Sequence, residues 1–284
     1  MARLISWLFV PGAQERFLAK LPSIRPDMAV LDLEDGLDPQ DLLPARERVA
    51  AVLSTVSGFV GRLALRTHPV GTPEFLDDAL TLGPALTALL LPKVSAANEV
   101  LEAVSVLGER GLDHVKVVPM IESAEGLRNA FEILTGHPAV TGVALGTEDL
   151  AADLGLPFHV DDDPLIMEGR KVLLDAARSQ LILAAAAARI PWRIDAPVLA
   201  LGDAALVERT AVMARARGFT GMLAVHPAQV AALARGFQPT PLEIARAREV
   251  LAASDQEGAH SYRGRMVDEA VLRQARFTLE AVGE

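Results

Sequence analysis

Short apolar runs recur along the chain, each closed by a turn signal and followed by a stretch with apolar residues at helical spacing. Eight runs fit this description: SWLFV, MAVLDL, RLALR, TALLLP, VKVVPMI, GVAL, WRIDA and GMLAV. The helices predicted to follow them cover 13–20, 44–53, 73–82, 96–109, 123–134, 164–188, 204–217 and 228–234. Strand–helix–strand units make their strands parallel neighbours. Eight of them, without a glycine-rich dinucleotide fingerprint, predict a closed (β/α)8 TIM barrel rather than an open nucleotide-binding sheet. The barrel is assigned to 1–238 and a C-terminal helical extension to 239–284. In the extension, PTPLEIARAREVLAAS reads as a capped helix, DQEGAHSYRGR as a polar linker and MVDEAVLRQARFTLEAV as a last amphipathic helix. Its apolar Met266, Val267, Ala270, Val271, Ala275, Leu279 and Val282 form roughly one face that must be buried against something.

The unit at 117–155 carries the clearest chemistry. Two strand-like runs end in acid, Glu122 after the first and Glu148-Asp149 after the second, with a Ser-capped helical stretch between them. Glu122 and Asp149, 27 positions apart, are expected side by side at the carboxyl ends of adjacent strands. Two carboxylates there can hold one hard cation, and magnesium takes one or two from a protein while keeping places for water and substrate oxygens. The competing reading makes both acids caps of the helices that follow.

The other run ends sharpen the choice. They are Pro11-Gly12, Glu34-Asp35, Arg66, Lys93, Asp195 and His226, and in a barrel such points converge on the mouth where active sites are built. Asp32 lies inside its strand with Glu34 on the same face, so at least one carboxylate points inward and needs a partner. Arg66 is the natural one, either as substrate binder or in a purely structural ion pair. Lys93 has a bland reading as a side chain reaching for solvent. His226 is read as a packed, hydrogen-bonded histidine, and the aspartates of PFHVDDDP as a solvated run.

Composition narrows the class. A chain of 284 residues, 51% hydrophobic with 4% aromatics, must fill its core with Ala, Leu and Val, which suits helix-on-sheet packing. A net charge of −10 and a pI near 5.1 argue against nucleic acid as a partner. The absence of cysteine removes disulfides, thiolate metal sites and a cysteine nucleophile together. The opening MARLISWLFVPGAQ is interrupted by Pro11-Gly12 without a cleavage pattern, and the longest uncharged run, 218–234, contains His226 and Pro227. Both argue for a cytoplasmic protein without a membrane span.

Taken in order, LFVPG, VLDLEDGL, LRTHPVGTP, LLLPKV, PMIESAEG, GTEDLAADLG, GFTGMLAVHPAQ and YRGRMVDEAVLRQA resemble the citrate lyase beta-subunit-like branch of the HpcH/HpaI aldolase superfamily. The resemblance implies a Mg2+-dependent carbon–carbon lyase, usually a homotrimer. It would cleave a (3S)-hydroxyacyl thioester such as citryl-, malyl- or citramalyl-CoA to an acyl thioester and a 2-oxo acid. A pyruvate-dependent aldolase on free acids and a non-catalytic subunit working with an acyl-carrier protein are the alternatives. By position, Glu122 and Asp149 match the metal carboxylates, and Arg66 the substrate arginine. Glu34 and Asp35 match the acids that orient that arginine and nearby water. Gly146 and Thr147 match backbone N–H donors to a substrate carboxylate. Asp268 matches an acid that related lyases bring to a neighbouring subunit's site, so the final helix is expected to pack on that neighbour. The chain departs from the family with Ile5 before Ser6, Leu42 in place of a lysine and His68 in place of an asparagine. The first two remove positive charge that could greet coenzyme A, leaving Arg3, Arg16 and Lys20 to do so.

Overall fold

The structure, a computed structural model, describes residues 4–12, 14–35, 37–54, 62–157, 163–253, 260–262 and 265–284. Arg3 and the aspartates at 161 and 162 lie outside them, as does much of the stretch read as a linker. Eight parallel strands close in chain order: β1 (Ser6–Pro11), β2 (Met28–Asp32), β3 (Arg62–Arg66), β4 (Leu86–Leu91), β5 (Lys116–Ile121), β6 (Gly142–Leu145), β7 (Trp192–Asp195) and β8 (Gly221–Ala224). The seam pairs Ser6 with Met222 and Leu8 with Ala224. It closes only over glycine at 221, where a Cβ would stand 2.4 Å from the carbonyl oxygen of Leu4.

Around the barrel run α1 (Glu15–Leu18), α2 (Leu21–Ile24), α3 (Leu42–Ser54), α4 (Pro73–Ala79), α5 (Ala97–Glu109), α6 (Ala124–Arg128), α7 (Ala130–Thr135), α8 (Thr147–Asp153), α9 (Pro164–Ala187), α10 (Ala204–Arg217) and α11 (Gln229–Phe237). The eight strands fall on the eight predicted runs. The helix predicted at 13–20 is instead two short helices, and Asn129 divides the one at 123–134. The α8 helix was not anticipated. Asp163, read as part of a solvated run, caps α9 by accepting from the N–H groups of Leu165 and Ile166.

Strand alternation sorts the core into two layers. Trp7, Met28, Val30, Ala64, Leu90, Met120, Ala144, Trp192 and Leu223 fill the barrel interior, where Trp7 meets Trp192 edge to face at 5.8 Å. The opposite parity packs under the helices. Followed upward, the inward rows 28-30-32, 64-66, 118-120-122 and 144-146 end on Asp32, Arg66, Glu122 and Gly146. In β7 the inward residues are Trp192 and Ile194, so Asp195 faces outward. It is buried against Arg178 of α9 (Nε to Oδ1, 2.9 Å) and does not join the mouth as its place at a strand end had suggested. His226 is exposed rather than packed, and its Nδ1 accepts from the N–H of Ala228 ahead of α11.

The extension folds on itself. It comprises α12 (Pro241–Ala252), a hairpin of β9 (His260–Tyr262) with β10 (Arg265–Val267), and α13 (Glu269–Glu280). The hairpin occupies part of the stretch read as a linker. Ala247, Val250, Val267, Ala275 and Leu279 make a separate small core between α12 and α13. The apolar face of the last helix is therefore covered largely by its own chain, while Met266 stays exposed. Arg215, near the C-terminus of α10, bonds Glu243 of α12 at 3.0 Å, which ties the extension to the end of the barrel opposite the mouth. Among the described residues no helix is long and apolar enough to cross a membrane.

One buried carboxylate joins three elements beside β3. Asp78 of α4 accepts from Arg46 Nε of α3 (2.8 Å), from the His68 amide (2.7 Å), and faces His68 Nδ1 at 2.7 Å. Removing it takes the buried partner from Arg46, which keeps only Asp77 and the Glu74 carbonyl, and leaves the His68 N–H without its acceptor. Asp78→Ala should lower the unfolding free energy by about 3–5 kcal/mol, whereas Asp77→Ala, at the exposed end of the same arginine, should cost about 1 kcal/mol or less. Urea unfolding of the two variants measures the difference, and equal effects would show that the Asp78 contacts carry no special weight.

Candidate active site

The inward rows converge on a cavity of about 300 Å³ at the carboxyl ends of the strands. One side is polar, with Asp32, Asp35, Arg66, Glu122 and the turn from Gly146 to Asp149. The side formed by β7, β8 and β1 is apolar, with Pro197, Leu199, Leu223, Val225, Phe9 and Pro11, and Met120 lies one inward step below Glu122. Asp32 and Arg66 are register partners across β2 and β3, so their side chains rise together. Arg66 Nε donates to Asp32 Oδ1 (2.8 Å) and Nη2 to Asp32 Oδ2 (2.6 Å). Its Nη1 lies 2.8 Å from Glu34 Oε2, and Nη2 lies 2.8 Å from Asp35 Oδ2. The guanidinium rests on the ring of Phe9, 4.5 Å from its centroid. Burial opposes the charge of Arg66, but Asp32, Glu34 and Asp35 outweigh it and hold the pKa above its ordinary value. Sequence reasoning placed Asp32 on the inward face without assigning it a site role; the shared register is what makes it the bidentate partner.

Lys93 does not simply reach for water. Its Nζ lies 2.9 Å from Glu34 Oε1, and its backbone N–H donates to Glu122 Oε1 at 2.6 Å. Burial pushes the Glu34 carboxyl up, against the pull of Arg66 and Lys93. Burial also raises Glu122, to about 7; the Lys93 amide opposes the rise, and the neighbouring charges of Asp149 and Glu34 add to it.

Glu122 and Asp149 both line the cavity. Glu148 leans toward Arg170 of α9 (3.6 Å), leaving Asp149 as the member of that pair without a described ion-pair partner. Gly146 departs from its expected role, because its N–H is donated to the carbonyl of Ile121 at 3.1 Å. What it contributes is a missing Cβ, which would stand 2.2 Å from Glu122 Oε2. Thr147, at the first turn of α8, keeps its place on the cavity wall with the positive end of that helix.

The remaining expected residues do not meet there. Arg16 is exposed, bonded to Gln14 Oε1 and stacked on Phe17, and Lys20 is exposed at the start of α2; neither lines the cavity. Asp268 caps α13, its Oδ1 accepting from the Val271 N–H (3.0 Å), and lies outside the mouth of its own chain.

The donor set fits a magnesium ion. Five carboxylates, Asp32, Glu34, Asp35, Glu122 and Asp149, stand against two cations, Arg66 and Lys93. Burial first, and that surplus second, raise Glu122 to about 7. Among the described residues no three His, Cys, Asp or Glu side chains converge as a self-sufficient cage, which agrees with an ion that takes two protein carboxylates and leaves its other places to water and substrate.

The profile of the HpcH/HpaI aldolase/citrate lyase family matches residues 5–227. A citrate lyase subunit beta-like protein of Deinococcus radiodurans is 35% identical, over 98% of this chain and 97% of that protein. An L-malyl-CoA/beta-methylmalyl-CoA lyase of Cereibacter sphaeroides is 30% identical, over 94% of this chain and 91% of that protein. The crystal structure of protein CitE from Mycobacterium tuberculosis, in complex with magnesium, acetoacetate and coenzyme A, has a TM-score of 0.82 at 30% identity, covering 100% of this chain and 99% of that chain.

The proton on Glu122 has a measurable consequence. With a folded pKa of about 7 against an ordinary 4.5, the metal-free folded state binds more protons than the unfolded chain between those values. Its stability must therefore fall as pH rises through that window. At about 1.4 kcal/mol per unit the share due to Glu122 is about 3 kcal/mol. Urea unfolding at pH 5 and pH 7.5 should show this loss in the wild type, a recovery at pH 7.5 on adding magnesium, and a smaller loss with no recovery in Glu122→Gln. The same pH dependence in both proteins would remove the basis for the raised pKa.

Proposed function

The chain belongs to the HpcH/HpaI aldolase/citrate lyase family, and from that premise we propose that it is a magnesium-dependent carbon–carbon lyase acting on a 3-hydroxyacyl thioester of coenzyme A. Substrates of the citryl-, malyl- or citramalyl-CoA kind would yield an acyl thioester and a 2-oxo acid. The observation that carries this reading is the two-sided cavity: a buried, oriented guanidinium beside the Glu122–Asp149 pair on one side, and an uncharged apolar wall on the other. The first suits the oxygens of a hydroxy acid and the second an acyl thioester.

Magnesium held by Glu122 and Asp149 would supply Lewis-acid stabilisation to the oxygens of the 2-oxo acid end. Arg66 donates from Nε and Nη2 to Asp32 and has Glu34 and Asp35 each 2.8 Å away as ion-pair partners, so the plane of the guanidinium is fixed and its remaining N–H groups suit a substrate oxygen. The Thr147 N–H, at the start of α8, suits the substrate carboxylate. Asp35, two-thirds exposed and on the cavity wall, is placed to take the proton of the substrate hydroxyl. As that O–H bond is lost, the adjacent C–C bond breaks, the carbonyl of the 2-oxo acid forms, and the bonding pair passes to the carbon alpha to the thioester. That carbon then needs a proton, for which Asp268 of a neighbouring subunit in a homotrimer is the proposed donor. Support comes from its exposed position on an extension held away from its own mouth.

Incubation with magnesium and a panel of 3-hydroxyacyl-CoA thioesters and the corresponding free hydroxy acids, with product identification, tests the reading. Cleavage of a thioester to a 2-oxo acid is expected; cleavage of free acids alone would point to an aldolase, and no cleavage of either would reject the proposal. Arg66→Lys keeps a buried cation but loses the fork, so kcat should fall by about a hundredfold or more with the fold intact. Near-native kinetics would make Arg66 a structural ion-pair residue. For Asp268, mixing inactive Glu122→Gln and Asp268→Asn subunits after dissociation should recover part of the activity. No recovery in verified mixed oligomers would place each site within one chain.

A further inference from the structure

Lys93 follows β4, whose inward row 88-90-92 ends on Pro92, so the alternation of the strand does not call for a charge at 93. Its backbone is left-handed, with φ of 55°, a conformation that glycine adopts freely and residues bearing a Cβ adopt at a cost. That turn serves two contacts at once. The amide N–H reaches Glu122 Oε1 at 2.6 Å, and the ammonium lies 2.9 Å from Glu34 Oε1. The second oxygen of Glu34 is 2.8 Å from Arg66 Nη1.

Resting on the lyase reading above, we propose that Lys93 is a positioning residue that sets the distance between the two ends of the substrate site. Its amide fixes Glu122 at the metal end, and its ammonium holds Glu34 against Arg66 at the guanidinium end. It acts through those two carboxylates, since it is not part of the cavity wall. The Glu34 side chain is only 6% exposed. Without the ammonium its nearest cation is Arg66, already shared with Asp32 and Asp35, so Glu34 and the Nη1 edge of Arg66 beside it lose their fixed relation. The strain is retained because glycine would serve the backbone contact alone.

The charge has a second effect of opposite sign. An ammonium near Glu122 and Asp149 repels a divalent cation, so removing it should tighten metal binding while slowing the reaction. The test compares the full-length wild type with Lys93→Gly and Lys93→Met. Mn2+ binding is measured by titration calorimetry without substrate, thermal unfolding by calorimetry, and kcat and KM on a thioester that the wild type cleaves. Lys93→Gly should melt higher than Lys93→Met, which keeps the left-handed strain and also lacks the charge, bind Mn2+ as tightly or up to about tenfold more tightly than wild type, lose at least tenfold in kcat, and regain part of it with added ethylamine. Lys93→Met should lose kcat without rescue and also bind Mn2+ no more weakly than wild type. Wild-type kcat in Lys93→Gly, or weaker Mn2+ binding in Lys93→Met, would overturn the proposal. If the wild type cleaves no thioester, the lyase reading fails on its own, and the Mn2+ and melting measurements still decide whether Lys93 is a strained charge opposing the metal.

Discussion

Between β2 and β3, at the level where the barrel interior gives way to the mouth, Arg66 donates two hydrogen bonds of 2.8 and 2.6 Å to Asp32. Both groups are almost wholly buried, and a charge left there alone would cost several kcal/mol. The pair is possible because the two residues are register partners on the same parity; a slip of one residue would send one of them under the helices. The same pair sets the plane of the guanidinium, which then lies on Phe9 and offers its remaining edges to Glu34 and Asp35. Charge placement at the mouth thus constrains strand register as strongly as the apolar layers below it do.

The mouth carries more negative charge than its own cations balance, and the molecule responds in two ways. Arg66 is held firmly in its charged form, while burial, aided by the neighbouring charges of Asp149 and Glu34, raises Glu122 to about 7. A site built only for stability would have replaced one of these acids with an apolar residue. Keeping them, with Glu122 pressed against a glycine that leaves no space for a Cβ, fits a group whose full charge is wanted when a cation arrives. Gly146 matters here through steric clearance rather than through its N–H, which the Ile121 carbonyl already occupies.

The strands were legible because parallel barrel strands are short, apolar and bounded by turns, and the active acids were legible because they interrupt that pattern at strand ends. Alternation also held information that strand ends alone obscure. Counting by twos from Trp192 puts Asp195 outside the barrel, and counting from Met28 puts Asp32 inside. Less accessible was the α8 helix, whose acidic first turn reads equally as a strand exit. The division of the first predicted helix, into Glu15–Leu18 and Leu21–Ile24, follows a proline at the second position of α2 that suits a helix start. The contacts of Lys93 had no sequence signature, because a left-handed backbone at a lysine is a tertiary result that propensity disfavours. The apolar face of the last helix was visible, but periodicity states only that a face is buried, and here α12 covers much of it.

The distribution of ionisable groups over the cavity bears on what a single chain can do. Asp32, Asp35, Arg66, Glu122, Glu148 and Asp149 all lie on the polar side, whereas Pro197, Leu199, Leu223 and Val225 opposite them offer no proton. In the proposed cleavage the charge is left on the carbon alpha to the thioester, the end of the substrate assigned to the apolar wall. An acid already engaged with Arg66 or with the metal is poorly suited to cross the cavity and give up a proton there. The extension carries Asp268 on a hairpin and helix pair with a core of its own, so that module can present an acid without borrowing stability from a barrel mouth. An apolar wall without a donor, and an exposed acid outside the mouth of its own chain on a module with a core of its own, are the two halves that the proposed shared site requires.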